Sequence, residues 1–325
     1  MERRHFLAGS AAAAASLTVG SVFADTFPSH AITIVIPFPP GGASDAVTRP
    51  LAAAMEPLVR HRVTIGIKPG AGGEFGAQFV ADAKPDGYTL LSHVTSISGY
   101  AEVDKVFGRT PKVTHAAFVP LARIVADPCV LLVNDKQPYK TLADFIADAR
   151  KRPDEIVFSS SGLYGALHIP MALFMKAAGD LKLRHLPTNG GGPALTALIG
   201  NNAQVMVSSI SAANAQIASG KAKALAMFGA ERSTALRDVP TMKELGYDIE
   251  YYLWVGLFAP KATPDNVTTY LRATIDKAAH SKGFRTALGQ FGQELAYLDG
   301  PDFARFWDKD AARIEAAIKS IGRVP

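Results

Sequence analysis

The sequence predicts an α/β protein of two lobes, each a mostly parallel sheet flanked by helices. Short apolar, β-branched segments alternate with segments of helical period, which is typical of βαβ units. About 300 residues follow a leader-like N-terminus, and chains of that length tend to divide into two cores. Three glycine-rich loops each follow a strand-like segment and precede a helix-like one, so the parallel sheets would gather them at their carboxyl edges.

The first lobe is predicted from residues 32 to 92. Ile32–Ile36 is entirely β-branched and apolar except for Thr33, which favours a strand buried on both faces. Val47, Leu51 and Met55 recur at helical spacing and give a helix over 45–58 one apolar stripe. The alternation then continues with strand 63–67, helix 73–83 and strand 88–92.

The second lobe is predicted from a second alternation that follows the apolar stretch 119–134, which Asp127-Pro128 interrupts. A threonine at 141 precedes the first helix as an N-cap. The predicted elements are helix 141–152, strand 156–158, helix 163–178, strand 184–186, helix 193–199, strand 204–207 and strand 222–228. Beyond Asp238 prolines recur, and helices are predicted from Pro264 onward. We therefore expect crossovers near Ala126 and Gly229, with 25–126 plus 230–325 in lobe 1 and 127–229 in lobe 2.

Residues 1–24 resemble an export signal. Arg3-Arg4 followed by Phe6-Leu7 resembles a twin-arginine signal, although a general secretory signal can also carry two arginines. An apolar stretch follows, and 22–24 (Val-Phe-Ala) fits a cleavage site after Ala24. The only cysteine, Cys129, is far from that site, so no lipid anchor is expected there. The predicted mature protein is free in the periplasm.

Composition argues against several function classes. The formal net charge of +5 comes from scattered residues, with no basic run interleaved with aromatics, so no nucleic-acid partner is expected. A single cysteine, Cys129, cannot form an intrachain disulfide, and its apolar surroundings favour a small buried residue. The histidines do not fall at paired metal-ligand spacing, so we predict no metal.

The loop from Pro37 to Asp45 predicts a site made largely of backbone. Three prolines restrict the loop, so little ordering entropy is lost on binding. Gly41 and Gly42 have no Cβ and would let a ligand approach the main chain. The following helix would present free N–H groups and a positive dipole end, which suit a carboxylate or phosphate. A strand-to-helix turn that merely needs glycines is the structural alternative.

Two further loops have the same design. The first, 159–162 (Ser-Ser-Ser-Gly), follows a strand and is predicted to open a helix. The second, 189–194, contains three consecutive glycines and places Pro193 in the first turn of another helix. Three such loops together favour an anion-binding site over three unrelated turns.

On these residues the chain resembles the Bug-type periplasmic receptors of tripartite tricarboxylate transporters, the TctC-like family. The resemblance runs the length of the predicted mature chain and depends on motifs in a fixed order. They are Pro37-Phe38-Pro39-Pro40-Gly41-Gly42 with Asp45 and Arg49, Lys68-Pro69-Gly70-Ala71-Gly72-Gly73 with Gly76, Pro85-Asp86-Gly87-Tyr88-Thr89-Leu90-Leu91, Gly190-Gly191-Gly192-Pro193-Ala194-Leu195, and Asp238-Val239-Pro240-Thr241 with Glu244, Gly246 and Trp254.

The resemblance implies a type II periplasmic-binding fold whose lobes close on a small organic carboxylate, which is a di- or tricarboxylate or an aromatic acid. It implies delivery of that acid to integral membrane subunits of a tripartite tricarboxylate-type transporter. It also implies a monomeric binding protein with no enzymatic activity and no cofactor. A receptor that reports ligand binding to a signalling partner is the alternative within this fold.

The resemblance and the three loops together suggest one set of ligand-binding residues. Asp45 is expected to stabilise its own helix, because a carboxylate facing an anion would repel it. Tyr164, Asn189, Ser208 and Ser209 are the candidates for specificity, since the chain departs from the family pattern around them. The full set is Phe38, Gly41, Gly42, Ala43, Ser44, Asp45, Ser160, Ser161, Gly162, Tyr164, Asn189, Gly192, Pro193, Ala194, Ser208 and Ser209.

Two enzymatic alternatives lack the motif that each would require. A hydrolase could use Ser161 and His168, but the sequence has no G-x-S-x-G elbow around that serine. A dinucleotide enzyme could use Gly70, Gly72 and Gly76, but Phe75 breaks the G-x-G-x-x-G spacing.

Overall fold

The computed structural model describes residues 27–324, so the predicted export signal at 1–24 lies outside the described residues. Within 27–324 the chain forms nine strands and ten α-helices. The strands are β1 (Ile32–Ile36), β2 (Val63–Ile67), β3 (Thr89–Val94), β4 (Phe118–Asn134), β5 (Val157–Ser160), β6 (Arg184–Pro187), β7 (Val205–Ser209), β8 (Ala222–Met227) and β9 (Tyr252–Pro260). The helices are α1 (Ala43–Val59), α2 (Glu74–Ala81), α3 (Tyr100–Val106), α4 (Leu142–Lys151), α5 (His168–Ala177), α6 (Gly191–Ile199), α7 (Ile210–Ala218), α8 (Asp265–Ala279), α9 (Lys282–Gln290) and α10 (Gly300–Ile321). No helix in this part of the chain is long and apolar enough to cross a membrane.

The first half of the molecule, as we call it below, is built on β1, β2, β3, β9 and the beginning of β4. β1 pairs in parallel with both β2 and β3, as predicted for βαβ units. β9 lies between β3 and β4 and is antiparallel to both. Residues 118–128 of β4 pair with this strand, which closes the first half of the sheet.

The second half is built on β5, β6, β7, β8 and the end of β4. β5 pairs in parallel with β6 and β7. Residues 129–134 of β4 pair antiparallel with β7 and β8. The two halves therefore share β4, which changes its neighbours between Pro128 and Cys129.

The α/β fold class is confirmed, and the structure refines three details. The sheet is mixed rather than mostly parallel. β9 is antiparallel to its neighbours β3 and β4, and β4 is also antiparallel to β7 and β8. The β9 segment, an apolar run between the prolines at 240 and 264, was not predicted as a strand. Asp127-Pro128 does not interrupt β4, and Cys129 is fully buried as predicted.

The predicted helix 163–178 begins later than expected, at His168. Gly162 (φ 114°) and Tyr164 (φ 53°) both have left-handed backbone, which a right-handed helix cannot include. Residues 161–167 therefore form a compact loop between β5 and α5, and we call it the 161–167 loop. Ser161 and Gly162 consequently do not open a helix.

Helix α10 is fixed on the first half by a buried carboxylate. Asp310 is 4% exposed, and its Oδ2 accepts hydrogen bonds from Trp254 Nε1 at 2.9 Å and from Ser98 Oγ at 2.8 Å. Its Oδ1 contacts Arg313 at 2.8 Å. The end of α10 also packs against α5 of the second half, so this helix connects the two halves.

Candidate functional site

A small cavity of about 30 Å³ lies between the two halves, and both halves contribute to its wall. From the first half it is lined by the loop after β1 and the start of α1, with one residue each from β3 and β9. From the second half it is lined by the 161–167 loop, the end of β7 and the starts of α6 and α7. The lining residues are Phe38, Pro39, Gly42, Ala43, Ser44, Asp45, Val94, Leu253, Ser161, Ala166, Leu167, Gly191, Ser208, Ser209 and Ala212.

Three helices begin at the wall of this cavity. The N-caps of α1 and α6 are Gly42 and Gly190, and neither has a side chain that could occupy the free N–H groups. The N-cap of α7 is Ser209, whose Oγ accepts the N–H of Ala212 at 3.4 Å. Helix N-termini attract anions, and none of the lining residues is Lys, Arg or His. The lining side chains therefore carry no positive charge, and the helix N-termini are the groups of the wall that favour an anion.

Two hydroxyl groups at this cavity have no hydrogen-bond partner among residues 27–324. They belong to Ser44, which is 2% exposed and lies in α1, and to Ser208, which is 1% exposed and lies in β7. Buried polar atoms are normally paired, and leaving one unpaired costs about 1–3 kcal/mol. One unpaired hydroxyl on each side of the cavity is therefore an arrangement that a polar ligand could satisfy.

Asp45 lines the cavity, but its carboxylate is engaged in local contacts. Oδ2 accepts the N–H of Gly41 at 3.2 Å, and Oδ1 contacts Arg49 Nε at 2.7 Å. The acidic side chain thus stabilises the turn before α1, and the Arg49 cation offsets its charge. This geometry is consistent with the structural role expected for Asp45.

The glycines of the 37–45 loop lie against the glycines of the 189–194 loop. A Cβ on Gly42 would be 3.7 Å from the backbone nitrogen of Gly192. A Cβ on Gly190 would be 3.2 Å from Pro39 Cδ. The two loops meet main chain to main chain, so here the absence of side chains lets the two halves approach each other. Gly41, Gly192 and Pro193 accordingly line an outer groove beside this contact.

The remaining predicted site residues lie away from the cavity wall. Ser160 Oγ is 2.7 Å from His185 Nε2 and also bonds the backbone of Gly162. Tyr164 Oη bonds the segment after α10, Asn189 is exposed, and the buried Ala194 accepts a hydrogen bond from Ser159 through its carbonyl. Of the sixteen residues, the structure brings eight together at the cavity: Phe38, Gly42, Ala43, Ser44, Asp45, Ser161, Ser208 and Ser209.

Several lining residues were not predicted from the sequence. Pro39 and Gly191 lie inside quoted motifs and could have been included. Val94, Leu253 and Ala212 are apolar residues at strand ends or in the first turn of a helix, where nothing in their sequence context distinguishes them from core residues.

Ser161 and His168 do not form a catalytic pair. Ser161 Oγ accepts the N–H of Leu167 at 3.2 Å. His168 instead lines a different cavity, together with His185. Burial, and secondarily His185, lower the pKa of His168 to about 3, and burial lowers the pKa of His185 to about 4. Both imidazoles are neutral at pH 7 and pack with Phe158.

His93 stabilises the neighbouring part of the site. It is fully buried, and burial lowers its pKa to about 4. Its Nδ1 lies 2.9 Å from both the backbone nitrogen and the carbonyl oxygen of Val94, and its Nε2 lies 2.9 Å from Tyr100 Oη. Tyr100 in turn donates to the carbonyl of Gly72 at 2.9 Å. Within residues 27–324 no group of three or more His, Cys, Asp and Glu side chains is placed to hold a metal ion.

Curated relatives are similar over most of the chain. A UPF0065 protein of Pseudomonas sp. strain P51, described from the tcbD-tcbE intergenic region, is 33% identical over 90% of this chain and 87% of its own length. Protein BugT of Bordetella pertussis is 32% identical over 83% of each chain.

Solved structures of other proteins are similar in fold over about 90% of this chain. The periplasmic binding protein BugD has a TM-score of 0.85 and 28% identity, covering 91% of this chain and 99% of that one. MatC from Rhodopseudomonas palustris, solved with bound malate, has a TM-score of 0.82 and 28% identity over 90% and 99%. Rpa4515 from R. palustris, solved with adipate, has a TM-score of 0.85 and 27% identity over 91% and 98%.

The family model that matches this chain is described as the tripartite tricarboxylate transporter family receptor, TctC, and it covers residues 47–323. With the motifs, the fold and the relatives above, this match shows that the chain belongs to the TctC family of tripartite tricarboxylate transporter receptors.

Proposed function

We propose that this protein is a periplasmic solute-binding receptor that holds a small organic carboxylate between its two halves, at this cavity, which would widen beyond about 30 Å³ to admit the acid. The observation that carries the proposal is the composition of the cavity wall. Three helix N-termini and two unpaired hydroxyls meet there, while no cationic side chain lines it. Each helix N-terminus contributes about 0.3–2 kcal/mol toward an anion in a partly buried site.

The comparisons support the same ligand class. MatC and Rpa4515 carry the dicarboxylates malate and adipate in their structures. For this chain we propose a carboxylate whose charged end lies against the starts of α1, α6 and α7. The Ser44 and Ser208 hydroxyls would hydrogen-bond the ligand from opposite sides, which would remove their desolvation cost.

Binding would proceed by closure of two lobes, with 25–126 plus 230–325 in one and 127–229 in the other. β4 supplies a connection at which a strand changes its partners between Pro128 and Cys129. Closure would exclude water from the carboxylate and create a surface that only the loaded receptor presents. We propose that the membrane subunits of a tripartite tricarboxylate-type transporter recognise that surface. We further propose that the protein is exported by the signal at residues 1–24, acts as a monomer and catalyses no reaction.

A thermal-shift experiment on the protein without residues 1–24 tests the ligand class. Malate, adipate and benzoate are compared with their amides at equal concentration. Stabilisation by an acid and not by its amide is expected, because a ligand that binds only the folded state raises its stability. Equal shifts with acid and amide, or no shift with any acid, would contradict the proposal.

A further inference from the structure

The loop that lines the second half of the cavity is tied to the far end of α10. The tie is Tyr164, a bulky residue that is only 3% exposed. Its Oη donates to the carbonyl of Gly322 at 2.5 Å and accepts the N–H of Val324 at 2.9 Å. Both partners follow α10, the helix whose buried Asp310 fixes it on the first half. One hydroxyl therefore connects the 161–167 loop to an element of the opposite half.

The backbone of Tyr164 is strained, and its surroundings hold it in place. Its φ of 53° lies in the left-handed region, which is uncommon for a bulky side chain. Such conformations persist where the surrounding structure over-determines them, and they concentrate at functional sites. Here the ring packs edge-on against Phe107 of the first half, with centroids 5.9 Å apart. Arg323 lies over the same Phe107 ring at 5.4 Å, next to the two residues that bond Tyr164.

The strained residue sits in the middle of a tightly folded loop. Gly165 N–H donates to the carbonyl of Gly162 at 2.9 Å, and Leu167 N–H donates to Ser161 Oγ at 3.2 Å. A Cβ on Gly165 would be 2.7 Å from Ser161 Oγ, which shows how closely the loop is folded around that hydroxyl. Ser161 and Leu167 both line the cavity. A shift of Tyr164 would therefore move groups in the cavity wall.

A second bond supports the same connection. Lys176, in α5 directly after the loop, donates to the carbonyl of Ser320 at 2.9 Å. Ser320 lies in the last turn of α10. The loop and the helix that follows it are thus joined to the end of α10 at two places.

We propose that Tyr164 is a positioning residue: by binding the segment after α10, it places Ser161, Ala166 and Leu167 in the cavity wall when the two halves are closed. This inference rests on the proposed function. It reassigns Tyr164, which the sequence suggested as a specificity residue, to the stability of the closed receptor. Loss of its hydroxyl would weaken the closed state and release the bound acid faster.

The test compares Tyr164→Phe with Tyr139→Phe. Tyr139 is 2% exposed and lies in the second half, and its Oη donates to Asp148 at 2.6 Å, away from the cavity. In ligand-free protein, amide hydrogen exchange at Gly165 and Leu167 should become about fivefold faster in Tyr164→Phe. The same amides should be unchanged in Tyr139→Phe. Unchanged exchange in Tyr164→Phe would overturn the proposal without any ligand being needed.

Binding kinetics provide the functional readout, with malate as the probe. Tyr164→Phe should bind malate about tenfold more weakly, chiefly through faster dissociation, whereas Tyr139→Phe should match the wild type even where its melting temperature is lower. Lys176→Met should give a smaller change in the same direction. Wild-type affinity in Tyr164→Phe would reject the positioning role. If the wild type bound none of malate, adipate and benzoate, the proposed ligand class would fail, while the exchange experiment would still decide the role of Tyr164.

Discussion

A Cβ placed on Gly192 would lie 2.5 Å from the carbonyl oxygen of Pro40, a distance that real Cβ atoms essentially never show. The obstructing atom belongs to the backbone of a loop stiffened by three prolines, so it cannot move aside cheaply. The approach of the two halves at this point therefore requires a residue without a side chain at 192.

Gly192→Ala should hinder closure without unfolding the protein. The backbone φ of Gly192 is not in the left-handed region, so alanine is tolerated within its own half. We expect affinity for a carboxylate such as malate to fall at least about tenfold, which is about 1.4 kcal/mol. Small-angle X-ray scattering should show a larger radius of gyration for Gly192→Ala than for the wild type. Gly283→Ala is the matched control, because a Cβ there meets no atom within 4 Å. A Gly192→Ala protein with wild-type affinity and size would show that this contact does not limit closure.

Ser208→Ala should separate binding from stability. Its hydroxyl is buried and unpaired in the ligand-free protein, so removing it should leave the free energy of unfolding unchanged or raise it. Binding of a carboxylate should weaken by about 1 kcal/mol, because the hydrogen bond to the ligand is lost.

For Ser208→Ala, titration calorimetry would measure the affinity for the carboxylate, and urea denaturation would measure the free energy of unfolding. Ser98→Ala is the contrast, since its Oγ donates to Asp310 at 2.8 Å outside the cavity. That variant should lose stability and keep affinity. Unchanged affinity in Ser208→Ala would remove this hydroxyl from the site.

Asp127→Asn should change how stability depends on pH. Burial raises the pKa of Asp127 from 3.8 to about 6, while hydrogen bonds from Gln293 and Ser211 lower it in part. The folded protein thus binds this proton more tightly than the unfolded chain. The contribution of the protonated Asp127 carboxyl to the free energy of unfolding is fully present below pH 3.8 and is lost as the pH rises through about 6.

The free energy of unfolding of the wild type, relative to Asp127→Asn, should therefore fall by about 1–3 kcal/mol between pH 4 and pH 7. Urea denaturation at several pH values would measure it. A difference that stays constant with pH would mean that the carboxyl ionises normally in the folded protein.

Asp310→Ala should be strongly destabilising, whereas Glu315→Ala on the same helix should not. The first substitution leaves Trp254 Nε1 buried without its acceptor, and we expect a loss of about 2–4 kcal/mol. Glu315 forms an ion pair with Lys319 at 2.9 Å with both side chains exposed, so its removal should cost less than about 1 kcal/mol. Equal midpoints in urea for the two variants would contradict the assigned role of Asp310.

The sequence by itself determined the elements whose residues are locally distinctive. Ile32–Ile36 was predicted as a strand with the observed bounds, because uninterrupted β-branched residues have few alternatives. The loops around Gly42 and Gly191 were recognised because proline and glycine restrict or extend backbone freedom in a way that is visible in sequence. The family followed from the order of these motifs, and its model covers residues 47–323.

Tertiary structure alone decided which of those residues face one another. Tyr164 and Gly322 are 158 residues apart in sequence, and neither signals that one hydroxyl joins them. Gly41 and Gly42 were expected to serve a ligand, and the nearest atoms to a Cβ built on either of them belong to Gly191 and Gly192 of the opposite loop. Leu253 entered the cavity wall because β9 crosses between β3 and β4. Such outcomes depend on long-range packing, since local propensity constrains a residue's backbone and leaves its distant neighbours open.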